Sequence, residues 1–106
     1  MSWKVEFTQD AAAEFEMLPE DLRGKFIFIG RRLERESPMH VGLPHVRPLG
    51  NKLWEMRLQG RDGIARAVYF LASGQRVLVL RIFVKKSQKT PRSEIDLALK
   101  RMKDAT

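Results

Sequence analysis

Between Arg81 and Arg92 the chain carries five cations, Arg81, Lys85, Lys86, Lys89 and Arg92, and no carboxylate. The run leaves an apolar, strand-like segment, Ile82-Phe83-Val84, and ends at Thr90-Pro91, a helix start. Cations crowded at a strand end repel one another unless an anion neutralises them, and for a small domain the commonest such anion is a phosphate backbone. A solvated basic loop is the plainer reading of a charge run taken alone. The rest of the chain favours the anion. Residues 1–36 hold six basic and eight acidic side chains, a balance of −2, whereas residues 37–106 hold fourteen basic and five acidic, a balance of +9. The net charge of +7 thus resides in the second two-thirds. That asymmetry is expected of a surface that meets nucleic acid, and ribosomal and membrane-surface proteins share it.

The elements that must carry these residues follow from periodicity. Trp3, Val5 and Phe7 alternate with Lys4 and Glu6, the period of a strand with one buried face. Thr8 is placed to cap a helix over Gln9 to Leu18, with Ala11, Phe15 and Leu18 on one side. Pro19 suits the first position of a second helix, in which Leu22, Phe26, Ile29 and Leu33 recur up to Glu36 before Ser37-Pro38 ends it. Residues 37–52 hold three prolines and two glycines with no period and read as a long loop. Three strands follow, Leu53 to Gln59, Ile64 to Leu71 and Arg76 to Val84, separated by the turn sequences Gly60-Arg61-Asp62-Gly63 and Ala72-Ser73-Gly74-Gln75. Thr90 as cap and Pro91 at the first helical position then open a helix with Ile95, Ala98, Leu99 and Met102 on one face. The order β-α-α-β-β-β-α predicts an α+β domain over residues 1–106, a mostly antiparallel sheet with its helices packed on one face.

Pairing the last three strands as a meander assigns the apolar sets Trp54/Met56/Leu58, Ala67/Tyr69/Leu71 and Leu78/Leu80/Ile82/Val84 to the helical side. Glu55, Arg57, Arg66, Arg81, Phe83 and Lys85 then share the open face, with Lys86 and Lys89 at its rim. Glu55 alone cannot offset so many cations, so bound phosphate is the expected compensation. His40 and His45 lie five residues apart in the loop without further ligands, too few for a zinc site, and no metal or other cofactor is expected. The absence of cysteine excludes a disulfide scaffold and a thiol nucleophile. The charged opening Met1-Ser2-Trp3-Lys4-Val5-Glu6 is not a signal peptide, and no apolar run nears the roughly 20 residues of a membrane span. A soluble, cytoplasmic protein with no membrane partner is expected.

Two segments, Pro48-Leu49-Gly50-Asn51-Lys52-Leu53-Trp54-Glu55-Met56-Arg57 and Phe83-Val84-Lys85-Lys86-Ser87-Gln88-Lys89-Thr90-Pro91, together with the element order over nearly the whole chain, resemble the HigB-like, phage-derived branch of the RelE/ParE toxin superfamily. The resemblance implies the toxin of a type II toxin–antitoxin pair, a ribosome-dependent messenger-RNA endonuclease neutralised by an antitoxin that often has a helix-turn-helix domain. It marks Glu55, Arg57, Arg66, Lys85, Lys86 and Lys89 as functional positions. The chain departs from the pattern at Arg81, where the branch often has histidine, and in lacking a C-terminal tyrosine or histidine.

RNA cleavage by its own 2′-hydroxyl needs a proton acceptor and cations for the charge gathering on the phosphoryl oxygens. Arginine, planar and permanently charged, suits the second task, assigned to Arg57, Arg66 and Arg81. Lys85 or Lys86, its ammonium disfavoured among cations, suits the first, with Glu55 as the alternative base. Phe83 is a candidate for stacking on a base, and Arg61, Lys89 and Arg92 complete the expected RNA contacts. Two other readings remain: a ParE-like inhibitor of DNA gyrase, which would not need the cationic face, and a non-catalytic module binding RNA or the ribosome.

Overall fold

The computed structural model describes residues 2–61, 63–85 and 89–106. Its elements run β1 (Lys4–Phe7), α1 (Gln9–Glu16), α2 (Glu20–Glu36), a 3-10 turn (Pro38–His40), β2 (Val46–Gly50), β3 (Leu53–Gln59), β4 (Ile64–Ala72), β5 (Arg76–Lys85) and α3 (Arg92–Ala105). The strands form one sheet in the order β1-β5-β4-β3-β2, with β1 parallel to β5 and every other pair antiparallel. The expected α+β class and the meander of β3, β4 and β5 are both present. No helix among the described residues is long and apolar enough to cross a membrane.

Local rules account for most of these elements. Thr8 Oγ1 accepts the Ala11 N–H at 3.2 Å, which satisfies one of the donors left over at the start of α1. Leu22, Phe26, Ile29 and Leu33 of α2 are all buried against Met56, Leu58, Ala67 and Tyr69 of the sheet. Truncating any such leucine to alanine typically costs about 2–5 kcal/mol. Pro19 and Pro91 stand at the cap positions, one residue earlier than expected, and Thr90 does not cap α3.

Four expectations need correction. First, the 37–52 segment contains β2, an edge strand that its prolines concealed. Pro48 is tolerated there because an edge strand leaves one side of its backbone unpaired, and Asn51 and Lys52, both at positive φ (53° and 70°), turn the chain tightly into β3. Second, the helices do not share one face. The α1–α2 pair covers one side, while Ile95, Ala98, Leu99 and Met102 of α3 pack on Leu53, Val68, Phe70, Leu78 and Leu80 on the other. The near-continuous apolar runs of β4 and β5 are the sequence trace of strands buried on both sides. Third, a bulge interrupts the β4–β5 ladder: Val68 faces Arg81 but Tyr69 faces Val79, leaving Leu80 extra. The parity of β5 therefore reverses, so that Leu78 and Leu80 face α3 whereas Ile82 joins the α1–α2 core. Fourth, the second sheet face is not open, since Glu55, Arg66, Phe83 and Lys85 are all buried.

Candidate functional site

Strand register sets the site. Arg57, Arg66 and Phe83 lie in one cross-strand row, Glu55, Val68 and Arg81 in the next, and Gln59, Ile64 and Lys85 in a third. At the other side of β3, Arg47 sits directly across from Glu55, an opposite-charge cross-strand pair. Glu55 is fully buried and accepts on both oxygens. Arg47 Nε donates to Oε2 and Thr90 Oγ1 to Oε1, each at 2.5 Å, while Arg66 Nε approaches Oε1 at 3.4 Å. Thr90 thus ties the segment before α3 to the middle of β3.

Electrostatics within this group is lopsided. Burial pushes the Arg66 guanidinium down from its ordinary range, the nearby Arg57 and Arg47 push it further, and Glu55 opposes them. Lys85 is lowered in the same way, by burial first and then by Arg66, with Arg47 and Arg57 adding and Glu55 opposing. Its Nζ is buried and makes no hydrogen bond among the described residues. Arg47, Arg66 and Lys85 therefore gather around the Glu55 carboxylate, with Arg57 directly across from Arg66 and close enough to act on both Arg66 and Lys85.

The remaining expected residues fall elsewhere. Arg81 is held by two carboxylates: Nε donates to Glu94 Oε1 at 2.7 Å and a terminal nitrogen to Glu14 Oε2 at 2.5 Å. These partners keep its guanidinium raised, Glu94 foremost. Glu14 also accepts from Arg101 and from the Ile82 N–H, so this second cluster joins α1, β5 and α3. Phe83 is a core residue beneath α3, with the Arg81 guanidinium 5.8 Å from its ring, and is not available to stack on a base. Arg61 lines a cleft with Glu20 and Asp21, beside acidic groups. Arg92 is exposed and pairs with Asp96, and Lys89 is exposed. Lys86 lies outside the described residues.

Arg47 escaped the sequence reading because its strand did; its place directly opposite Glu55 is a property of the hairpin. A cleft of about 260 Å³ was also missed. It opens where β3 runs on beyond the end of β2, between Lys25 and Phe28 of α2, His45, and Arg57, Gln59 and Arg66 of the sheet. The signal for it was Phe28, an aromatic that stands off the apolar face of α2 defined by Leu22, Phe26, Ile29 and Leu33.

Comparison with known proteins bears on this geometry. The family of phage-derived Gp49-like proteins matches residues 13–103. The probable endoribonuclease HigB1 of Mycobacterium tuberculosis is 29% identical over 90 residues, covering 85% of this chain and 69% of that protein. Among solved structures, a mutant of the Escherichia coli toxin RelE in the free state superposes with a TM-score of 0.70 at 19% identity, over 96% of this chain and 99% of that one. RelE in the archaeal RelE–RelB complex from Pyrococcus horikoshii does so with a TM-score of 0.59 at 18% identity, over 84% and 100%.

Proposed function

Because the chain belongs to the phage-derived Gp49-like protein family, we propose that it is the toxin of a type II toxin–antitoxin pair, an endoribonuclease that cleaves messenger RNA through attack of the RNA's own 2′-hydroxyl. The observation that carries this reading is the gathering of Arg47, Arg66 and Lys85 about the buried Glu55 carboxylate, with Arg57 directly across from Arg66. Guanidinium and ammonium groups held together in this way stabilise a phosphodiester most when extra charge develops on its phosphoryl oxygens. Likeness to the probable endoribonuclease HigB1 supports the same chemistry, and likeness to RelE supports the fold that carries it.

Within this reading Arg57 and Arg66 bind the phosphoryl oxygens, offering planar donors that remain charged. Glu55, with both oxygens engaged, orients the guanidinium groups of Arg47 and Arg66 and is a poor choice for proton acceptor. That task falls to Lys85, whose ammonium form is disfavoured by burial and by neighbouring cations. The amine takes the 2′-hydroxyl proton as the oxygen attacks phosphorus, and the bond to the 5′-oxygen of the next nucleotide breaks, leaving a 2′,3′-cyclic phosphate and a 5′-hydroxyl that takes its proton from solvent. A cognate antitoxin neutralises the protein, in keeping with the RelE–RelB complex of its structural relative. A helix-turn-helix domain on that antitoxin, messenger RNA held on the ribosome as substrate, and action in the cytoplasm complete the reading and rest on family resemblance.

The test is single-turnover cleavage of messenger RNA on programmed ribosomes. Loss of one phosphoryl donor, Arg57→Ala or Arg66→Ala, is expected to lower the rate by about 100-fold or more. Arg57, half-buried, gives the cleaner comparison, since breaking the buried Arg66–Glu55 pair also costs about 3–5 kcal/mol of stability. Both variants cleaving at the wild-type rate while folded by circular dichroism would remove the assignment. Unchanged amino-acid incorporation on induction, with collapse of DNA supercoiling, would redirect the function to gyrase.

A further inference from the structure

The cleft at the free end of β3 has a composition that the cleavage chemistry does not require. Phe28 is 54% exposed, although phenylalanine burial is worth about 1.5–3 kcal/mol and the apolar face of α2 already points elsewhere. Its ring meets the His45 imidazole edge-on, with centroids 6.2 Å apart, so a histidine from the segment before β2 braces it at the cleft wall. Lys25, Arg57 and Arg66 supply cations to the same space, and two of these, Arg57 and Arg66, belong to the group around Glu55. At about 260 Å³ the cleft falls just under the roughly 300 Å³ lower bound of drug-sized pockets. It accommodates one flat ring system and is far too small for a docked helix about 10 Å across.

Resting on the endoribonuclease reading above, the geometry points to a nucleobase subsite in this cleft. One base adjoining the scissile phosphate stacks on Phe28, buttressed by His45, while Arg57 and Arg66 hold the phosphate and Lys25 faces the backbone beyond it. Aromatic stacking accepts any base because every base has a π-face, whereas the Gln59 amide at the cleft rim can donate and accept and so discriminates among base edges. An apolar ring beside the exposed Lys25 ammonium suits RNA better than an apolar protein segment, which would desolvate that charge.

Ribosomes programmed with a short messenger RNA, intact or with an abasic nucleotide walked through each position around the cleaved bond, provide the test. Phe28→Ala should raise the half-saturating protein concentration by about 10-fold or more on intact RNA, the scale of one lost base stack, and Phe28→Trp should restore it. At one position the abasic substitution should weaken the wild-type protein equally while having no effect on Phe28→Ala. Phe28 is exposed on a helix, so the variant keeps the fold. Wild-type half-saturation in Phe28→Ala, or abasic sensitivity that persists in it at every position, would overturn the subsite while leaving the endoribonuclease reading intact. A Phe28→Ala protein that cleaves as wild type but escapes its antitoxin would overturn it in favour of a protein-docking face. Failure of the wild-type protein to cut any ribosome-bound message would overturn both.

Discussion

Lys85 Nζ lies buried beside Arg66 with no hydrogen-bond acceptor among the described residues, so chemistry and stability make opposite demands on it. Its folded-state pKa is lowered from 10.5, which means that the unfolded chain binds more protons between that lowered value and 10.5. Stability therefore rises with pH through this window. Lys85→Met should flatten the rise and, below the window, stabilise the protein by about 1 kcal/mol through removal of an unsatisfied buried ammonium. Urea unfolding at neutral and at alkaline pH reads both effects. Cleavage should fall by about 100-fold or more and lose its increase with pH, the signature of a missing base. A Lys85→Met protein that retains the wild-type pH–rate profile would eliminate Lys85 as proton acceptor.

At the level of elements, the ion-pair cluster at the β5 edge shows how an arginine outside the active group still matters. Among the described residues β1 pairs with Arg76–Val79 alone, so β5 beyond that point lacks a strand partner on one side. Glu14 of α1 fills the gap: it accepts the Ile82 N–H at 3.0 Å and binds Arg81 and Arg101, which draws in α3. Glu14→Gln keeps the shape but weakens charge-assisted bonds to two guanidinium groups. Because the pairs are partly solvated, a loss of about 1–2 kcal/mol is expected in urea midpoint measurements, with single-turnover cleavage close to wild type. A large cleavage defect at wild-type stability would instead bring this cluster into the catalytic machinery.

Over the whole molecule, the net charge of +7 predicts salt-sensitive binding to RNA, but the cations are not equivalent. Arg47 and Arg66 share the Glu55 carboxylate, whereas Arg81 is matched by Glu14 and Glu94. The slope of log affinity against log salt should therefore shrink by about 0.7–1 in Arg57→Ala, the counter-ion release of one phosphate contact, and remain unchanged in Arg81→Ala, which should lose stability instead. Equal slopes for Arg57→Ala and the wild type would place Arg57 outside the phosphate path.

The sequence by itself determined the helices and the meander, because each depends on short-range regularities. The helical recurrence of Leu22, Phe26, Ile29 and Leu33, the Thr8 cap and the turns around Gly60 and Gly74 are all local. The charge asymmetry and the motifs around Glu55 and Lys85 were equally legible in one dimension. Only the tertiary structure decided which cations lie together. One bulged residue, Leu80, changes the facing of β5. A proline-bearing edge strand brings Arg47 opposite Glu55, and α3 crosses to the second sheet face and buries Phe83. Arg81 and Arg66 look alike in the sequence; they differ because Glu14 and Glu94 are contributed by helices 67 and 13 residues away from Arg81, whereas Arg66 shares the buried Glu55 carboxylate with Arg47. Pairing across such distances is set by packing, which the linear order of residues does not show.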